Sequence, residues 1–79
     1  MDYLEALGQQ LRAARKKSFQ NDDMQCFALR LSVSRATLQK MEKGDLSVSM
    51  GKYYRAAQLL GVEEPFSRLF VLPESLFDD

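Results

Sequence analysis

The sequence predicts an all-α domain of five short helices, and three observations carry that expectation. Apolar residues recur at helical spacing in five stretches between Leu4 and Phe70. Residues that cap helices precede the stretches (Asp2, Asp22 or Asp23, Ser34, Ser49), and glycines at 44 and 61 close two of them. No convincing β alternation occurs before residue 68. The length of 79 residues gives one domain, able to bury about 60–65% of its unfolded surface. Its stability must then come from economical helix packing or from a partner chain.

The first helix spans 3–16, with Leu4, Leu7, Leu11 and Ala14 on one stripe. Asp2 caps it, and Glu5 three residues later fits a capping box. Arg15, Lys16 and Lys17 sit at its end, where the helix dipole favours cations. A polar connection containing Phe19 leads to the second helix, 23–31, whose inner side is Phe27, Ala28 and Leu31. Ser32-Val33-Ser34 forms a turn, and Ser34 caps the third helix, 35–42. That helix turns Leu38 and Met41 inward and Arg35, Ala36, Gln39 and Lys40 outward. Gly44 ends it. Ser49 caps the fourth helix, 50–60, with Met50, Tyr53, Ala57 and Leu60 as its stripe. A fifth helix fits 64–70, with Pro65 in its first turn and Phe66, Leu69 and Phe70 apolar. Residues 71–79 read as an acidic tail.

Composition narrows the function. Lys plus Arg total 11 and Asp plus Glu total 11, a cancellation that speaks at first against nucleic acid. The charges are unevenly placed. Residues 1–55 hold ten basic and six acidic side chains, a net +4, and residues 56–79 hold one basic residue, Arg68, and five acidic ones, a net −4. Polyanion binding depends on local clustering, so the first part of the chain remains able to face DNA. A hydrophobic content of 46% is too high for a disordered chain. No apolar run approaches the roughly 20 residues that span a bilayer, and Met1 to Glu5 has no secretory pattern. The lone Cys26 cannot make an internal disulfide, which favours a cytoplasmic setting. With no His, one Cys and no glycine-rich phosphate loop, an enzyme has almost no material, and neither cofactor nor metal is expected.

The segment from Phe27-Ala28 through Leu31-Ser32-Val33-Ser34-Arg35-Ala36-Thr37-Leu38-Gln39-Lys40-Met41-Glu42-Lys43-Gly44 resembles the lambda-repressor-like (Cro/Xre) helix-turn-helix core. The likeness extends back through Leu7 to Arg15 and forward through Ser49-Met50 and Ala57 to Val62, covering roughly residues 4–70. It implies a compact five-helix DNA-binding domain over 1–70, read as a dimeric transcriptional repressor with double-stranded DNA as partner. On matching positions, Ser34, Arg35, Ala36 and Lys40 would read bases or phosphates, with Gln39 on the same face. Thr37 and Lys43 would lie near the phosphate backbone, and Arg15 with Glu42 would form a structural ion pair between helices one and three. Arg35 is the best candidate for base readout, because a guanidinium bonds bidentately to a guanine edge. The sequence departs from the family at four places, one of them a connection from Arg15 to helix two that is about two residues longer than usual. Met24 stands where a phosphate-binding Gln is common, Ser32 where the turn has Gly, and Val48 where many members have Pro.

A narrower likeness, in Glu42-Lys43-Gly44-Asp45, Ser47 to Gly51 and Tyr53 to Ala56, is to HipB-like antitoxins, which pair with a kinase-type toxin. An antitoxin or antirepressor that mainly binds a partner protein is therefore the alternative reading. Phe66, Leu69, Phe70 and Leu72 form an apolar cluster larger than a small monomer needs, read as a homodimer interface or else as a cap on the domain's own core. Tyr54 has three readings: dimer contact, phosphate-bonding hydroxyl or edge of the core. Cys26 reads as a partly exposed, inert thiol, because Asp22 and Asp23 lie beside it.

Overall fold

The computed structural model describes residues 2–73. Four α-helices follow one another: α1 (Tyr3–Ser18), α2 (Met24–Leu31), α3 (Arg35–Met41) and α4 (Met50–Leu60). A 3₁₀ helix, Glu64–Arg68, comes last. No strand occurs among the described residues. The chain is all-helical and compact, but the fifth α-helix expected over 64–70 is absent. Its place is taken by a five-residue 3₁₀ helix in which Phe66 N–H bonds the Glu63 carbonyl at 3.0 Å. Pro65 has no N–H to give an α-helical ladder, and so short a segment does not nucleate one. Of the acidic tail expected over 71–79, residues 74–79 lie outside the described residues.

Each helix end has a local cause. Asp2 accepts from the N–H groups of Leu4 at 2.9 Å and Glu5 at 3.3 Å. The reciprocal half of the expected capping box is missing, since the Glu5 carboxylate accepts from the Gln9 side chain instead. α1 runs two residues past its expected end. Phe19 N–H bonds the Arg15 carbonyl at 2.9 Å and the Gln20 side chain bonds the Lys17 carbonyl, which satisfies the last turn. Phe19 then turns inward. Its ring meets Phe27 edge to face at 5.4 Å, and the Arg30 guanidinium, paired with Asp22, lies 4.8 Å over it.

Asp23, rather than Asp22, caps α2 by accepting from Cys26 N–H at 2.8 Å. α2 ends at Ser32, which takes a left-handed backbone with φ 59° and ψ 40°. Val33 N–H bonds back to the Ala28 carbonyl at 3.0 Å, closing the turn. Ala28 is fully buried, and its small side chain lets α2 and α3 approach across the three-residue turn. α3 ends at Met41, with Glu42 as its cap. Ser49 occupies the cap position of α4 with extended backbone, but its side chain makes no capping hydrogen bond, contrary to expectation.

The core is centred on α2 and α3. Phe27, Leu38 and Met41 are fully buried, joined by Leu11, Leu31, Val48, Tyr53 and Ala56. Two glycines allow α1 to lie directly on the end of α3. A Cβ at Gly8 would collide with the Glu42 carbonyl, and one at Gly44, where φ is 75°, would overlap the Leu4 carbonyl. Leu4 and Met50, expected on buried stripes, are half exposed, and Leu60 is partly buried. They line a groove instead of filling the core.

Candidate nucleic-acid interface

α3 presents a polar face built by its own packing. Leu38 and Met41 point into the core, so Arg35, Ala36, Gln39 and Lys40 are all exposed. Lys43 is exposed just past the helix end. Ser34 caps the helix, accepting Thr37 N–H at 3.0 Å, while its hydroxyl donates to Thr37 Oγ1 at 3.0 Å. Both functions of the Ser34 hydroxyl are therefore used inside the turn. What Ser34 offers outward is its exposure at the helix start. Thr37 is half-buried.

Arg15 and Glu42 sit behind this face. Arg15 Nε donates to Glu42 Oε2 at 2.6 Å and its Nη2 to Oε1 at 3.3 Å, a two-pronged pair with both side chains more than nine-tenths buried. It ties α1 to the end of α3 and fixes the tilt of that helix. Among the described residues, the ion pairs are Arg15–Glu42, Arg30–Asp22 and Arg68–Glu64. Arg35, Lys40, Lys43 and Lys52 belong to none of them.

Local fields act on this face. The N–H of Cys26 holds the Asp23 carboxyl below its usual range, and the charge of Arg35 adds to that effect. The carboxylate of Asp23 in turn pushes the Cys26 thiol above its ordinary value. Cys26 thus has the opposite of an activating environment. Asp45 is lowered by the Ser47 N–H and, less strongly, by Lys40.

Beside α3 lies a polar hollow of about 340 Å³ lined by Thr37, Lys40, Ser47, Val48, Ser49 and Lys52. Ser47, Ser49 and Lys52 were not among the residues the sequence singled out for DNA. Their signal was faint: Ser49 reads as a cap, and Ser47 and Lys52 carry no mark of their own. Yet the Ser49 hydroxyl caps nothing, and the N-terminus of α4 opens into the same hollow. Hydroxyls, two lysines and a helix N-terminus together suit an oxyanion.

A second, larger hollow is apolar. Leu4, Leu7 and Leu11 of α1 face Met50, Tyr53, Ala57 and Leu60 of α4 across a groove of about 520 Å³, which Phe66 and Leu69 border. Phe66 packs against the core and meets Tyr54 edge to face at 5.2 Å. Leu69 and Leu72 are about half exposed, and Phe70 is 93% exposed. No metal-binding cluster of His, Cys, Asp or Glu occurs among the described residues. No helix of those residues is long and apolar enough to cross a membrane. No family model, curated protein or solved structure matches the chain.

Proposed function

We propose that the chain is a sequence-specific DNA-binding regulator of the lambda-repressor-like kind, acting in the cytoplasm as a homodimer and repressing by occupying a promoter. One observation carries this reading. An exposed helix bearing Arg35, Gln39 and Lys40, none of its cations paired among the described residues, is held at a fixed tilt by the buried Arg15–Glu42 pair beside a hollow rich in hydroxyls and lysines. Arg35 reads a guanine edge, Gln39 lies on the same outward face, and Ala36 meets a thymine methyl. Lys40, Lys43 and Lys52, with the start of α4, hold backbone phosphates and set the register. A two-fold axis through Leu69, Phe70 and Leu72 would place two copies of α3 about 34 Å apart in successive major grooves.

Mobility shift on DNA from upstream of the coding region tests this. A salt-sensitive complex is expected at submicromolar dimer, and Arg35→Ala should bind with site preference lost. Absence of any shift at micromolar protein and low salt would sink the reading.

A second reading is favoured by the apolar groove and the exposed strip from Leu69 to Leu72. On this reading the chain is an antitoxin or antirepressor whose main task is holding a partner protein, such as a kinase-type toxin. Pull-down from the native host with wild type and with a Leu69→Asp, Phe70→Asp variant separates the two readings. A stoichiometric protein lost with the variant, from a chain that shifts no DNA, would favour the partner.

A further inference from the structure

The loop beside the polar hollow is shaped by Asp45. Its N–H donates to the Lys40 carbonyl at 3.1 Å, which ties it to the last turn of α3. Its Oδ1 accepts from Ser47 N–H at 2.8 Å, shaping the loop before α4. Its carbonyl accepts the hydroxyl of Tyr53 at 2.8 Å, and Tyr53 is buried in α4. With a further bond from Val48 N–H to its carbonyl at 3.3 Å, one residue thus joins the recognition helix, the loop and α4 by four bonds. The loop that this knot shapes brings Ser47 and Ser49 to the hollow that Lys40 and Lys52 also line. The carboxylate, though outside the lining, puts a negative charge beside the hollow, next to the last turn of α3 and to Ser47. Lys40 is near enough to help hold Asp45 ionised, although the two make no direct ion pair.

We propose that Asp45 is the positioning residue of this hollow and that it sets, by two opposed effects, how strongly the hollow holds a DNA phosphate. Its hydrogen bonds assemble the phosphate-binding wall. Its charge draws on the attraction of Lys40 and keeps backbone binding weak. Sequence-independent affinity stays low in consequence, and contacts from Arg35 to bases decide where the protein rests. The inference rests on the DNA-binding reading and adds to it a residue that favours discrimination over affinity.

Two variants separate the effects. Asp45→Asn keeps the acceptor for Ser47 N–H and removes the charge, whereas Asp45→Ala removes both. Fluorescence anisotropy with a labelled duplex of arbitrary sequence gives the affinity, at about 50 mM and about 300 mM KCl. Asp45→Asn should bind about three- to tenfold tighter than wild type at the lower salt, with the gain shrinking at the higher salt. In a Lys40→Gln background the gain should fall below about twofold, since the attraction that Asp45 opposes is then gone. Asp45→Ala should melt about 4–8 °C lower and bind more weakly than Asp45→Asn. Asp45→Ser, whose hydroxyl also accepts from Ser47, repeats the charge removal should the Asn variant fold poorly.

Equal or weaker binding by both Asp45→Asn and Asp45→Ser, with wild type binding normally, overturns the proposal alone. Wild type that shows no salt-sensitive binding overturns the DNA reading and this inference with it.

Discussion

The two sides of this small domain are finished differently. Around α2 and α3 the chain closes its core, with Phe27, Leu38 and Met41 fully buried and the caps at Asp23 and Ser34 satisfied by their own hydrogen bonds. Between α1 and α4 it leaves a groove, and past Gly61 it leaves Leu69 to Leu72 in water. The difference teaches where the packing goes. A chain this short supports a single core, and that core holds the helix carrying the free cations rigidly in place. The other side keeps apolar surface that a monomer has no use for. Stability and association should therefore be separable by mutation. Phe27→Ala is expected to cost about 3–5 kcal/mol, the largest single effect, because it removes a fully buried ring. Phe70→Ser should change unfolding at low protein concentration by less than about 0.5 kcal/mol. It should shift self-association in sedimentation if the strip joins two copies. Urea melts at two protein concentrations check both. A large loss from Phe70→Ser in the monomer would break the comparison.

The buried ion pair sharpens the same contrast. Arg15 is only 4% exposed, and Glu42 is its charged partner among the described residues. Glu42→Ala should leave that guanidinium buried without an anion and cost about 3 kcal/mol. The pair Arg15→Met with Glu42→Leu should restore much of the loss, since apolar replacements of similar volume need no compensation. A double-mutant cycle followed by denaturant melts measures the coupling. If the doubly apolar protein is stable and, on the proposed DNA-binding reading, keeps the wild-type site preference, the pair fixes no tilt and serves packing alone.

The helices were readable because their signals are local. The apolar stripes, Ser34 as a cap and Gly44 as a stop each act within a few residues. The core positions Phe27, Leu38, Met41 and Tyr53 follow from periodicity, and all four are buried. The outward set on α3 follows from the same count. What stayed hidden depends on distant parts of the chain. Nothing near Asp45 announces that Tyr53 and Lys40 will both bond its backbone. Nothing near Ser49 says that its hydroxyl will face a hollow rather than cap its helix. The stripe Leu4, Leu7, Leu11 and Ala14 predicts an apolar face on α1, but periodicity cannot tell a filled core from an open groove. The 3₁₀ segment was missed for a related reason: Phe66, Leu69 and Phe70 carry helical spacing without the length that lets an α-helix form.

The smallest expected effect concerns backbone alone and compares the two sides at matched positions. α2 and α4 both end on a residue in the left-handed region, Ser32 with φ 59° and Gly61 with φ 74°. In each, the N–H of the capping residue reaches the carbonyls three and four residues back. Only the side chain differs, and a Cβ in this region costs about 1 kcal/mol for most residues. Ser32 is exposed and its side chain makes no hydrogen bond among the described residues, so Ser32→Gly gives up no contact. It should raise stability by up to about 1 kcal/mol, less whatever the freer unfolded chain takes back. Gly61→Ala is the mirror experiment. An added methyl there meets nothing within 4 Å, so its cost is conformational only and should be about 1 kcal/mol. Thermal melts of both variants read the two strains on one scale. Opposite shifts of similar size would show that the turn between α2 and α3 carries ordinary left-handed strain. A Ser32→Gly protein that melts lower than wild type would instead mean that the serine stiffens the turn, and α3 would then owe part of its fixed position to that side chain.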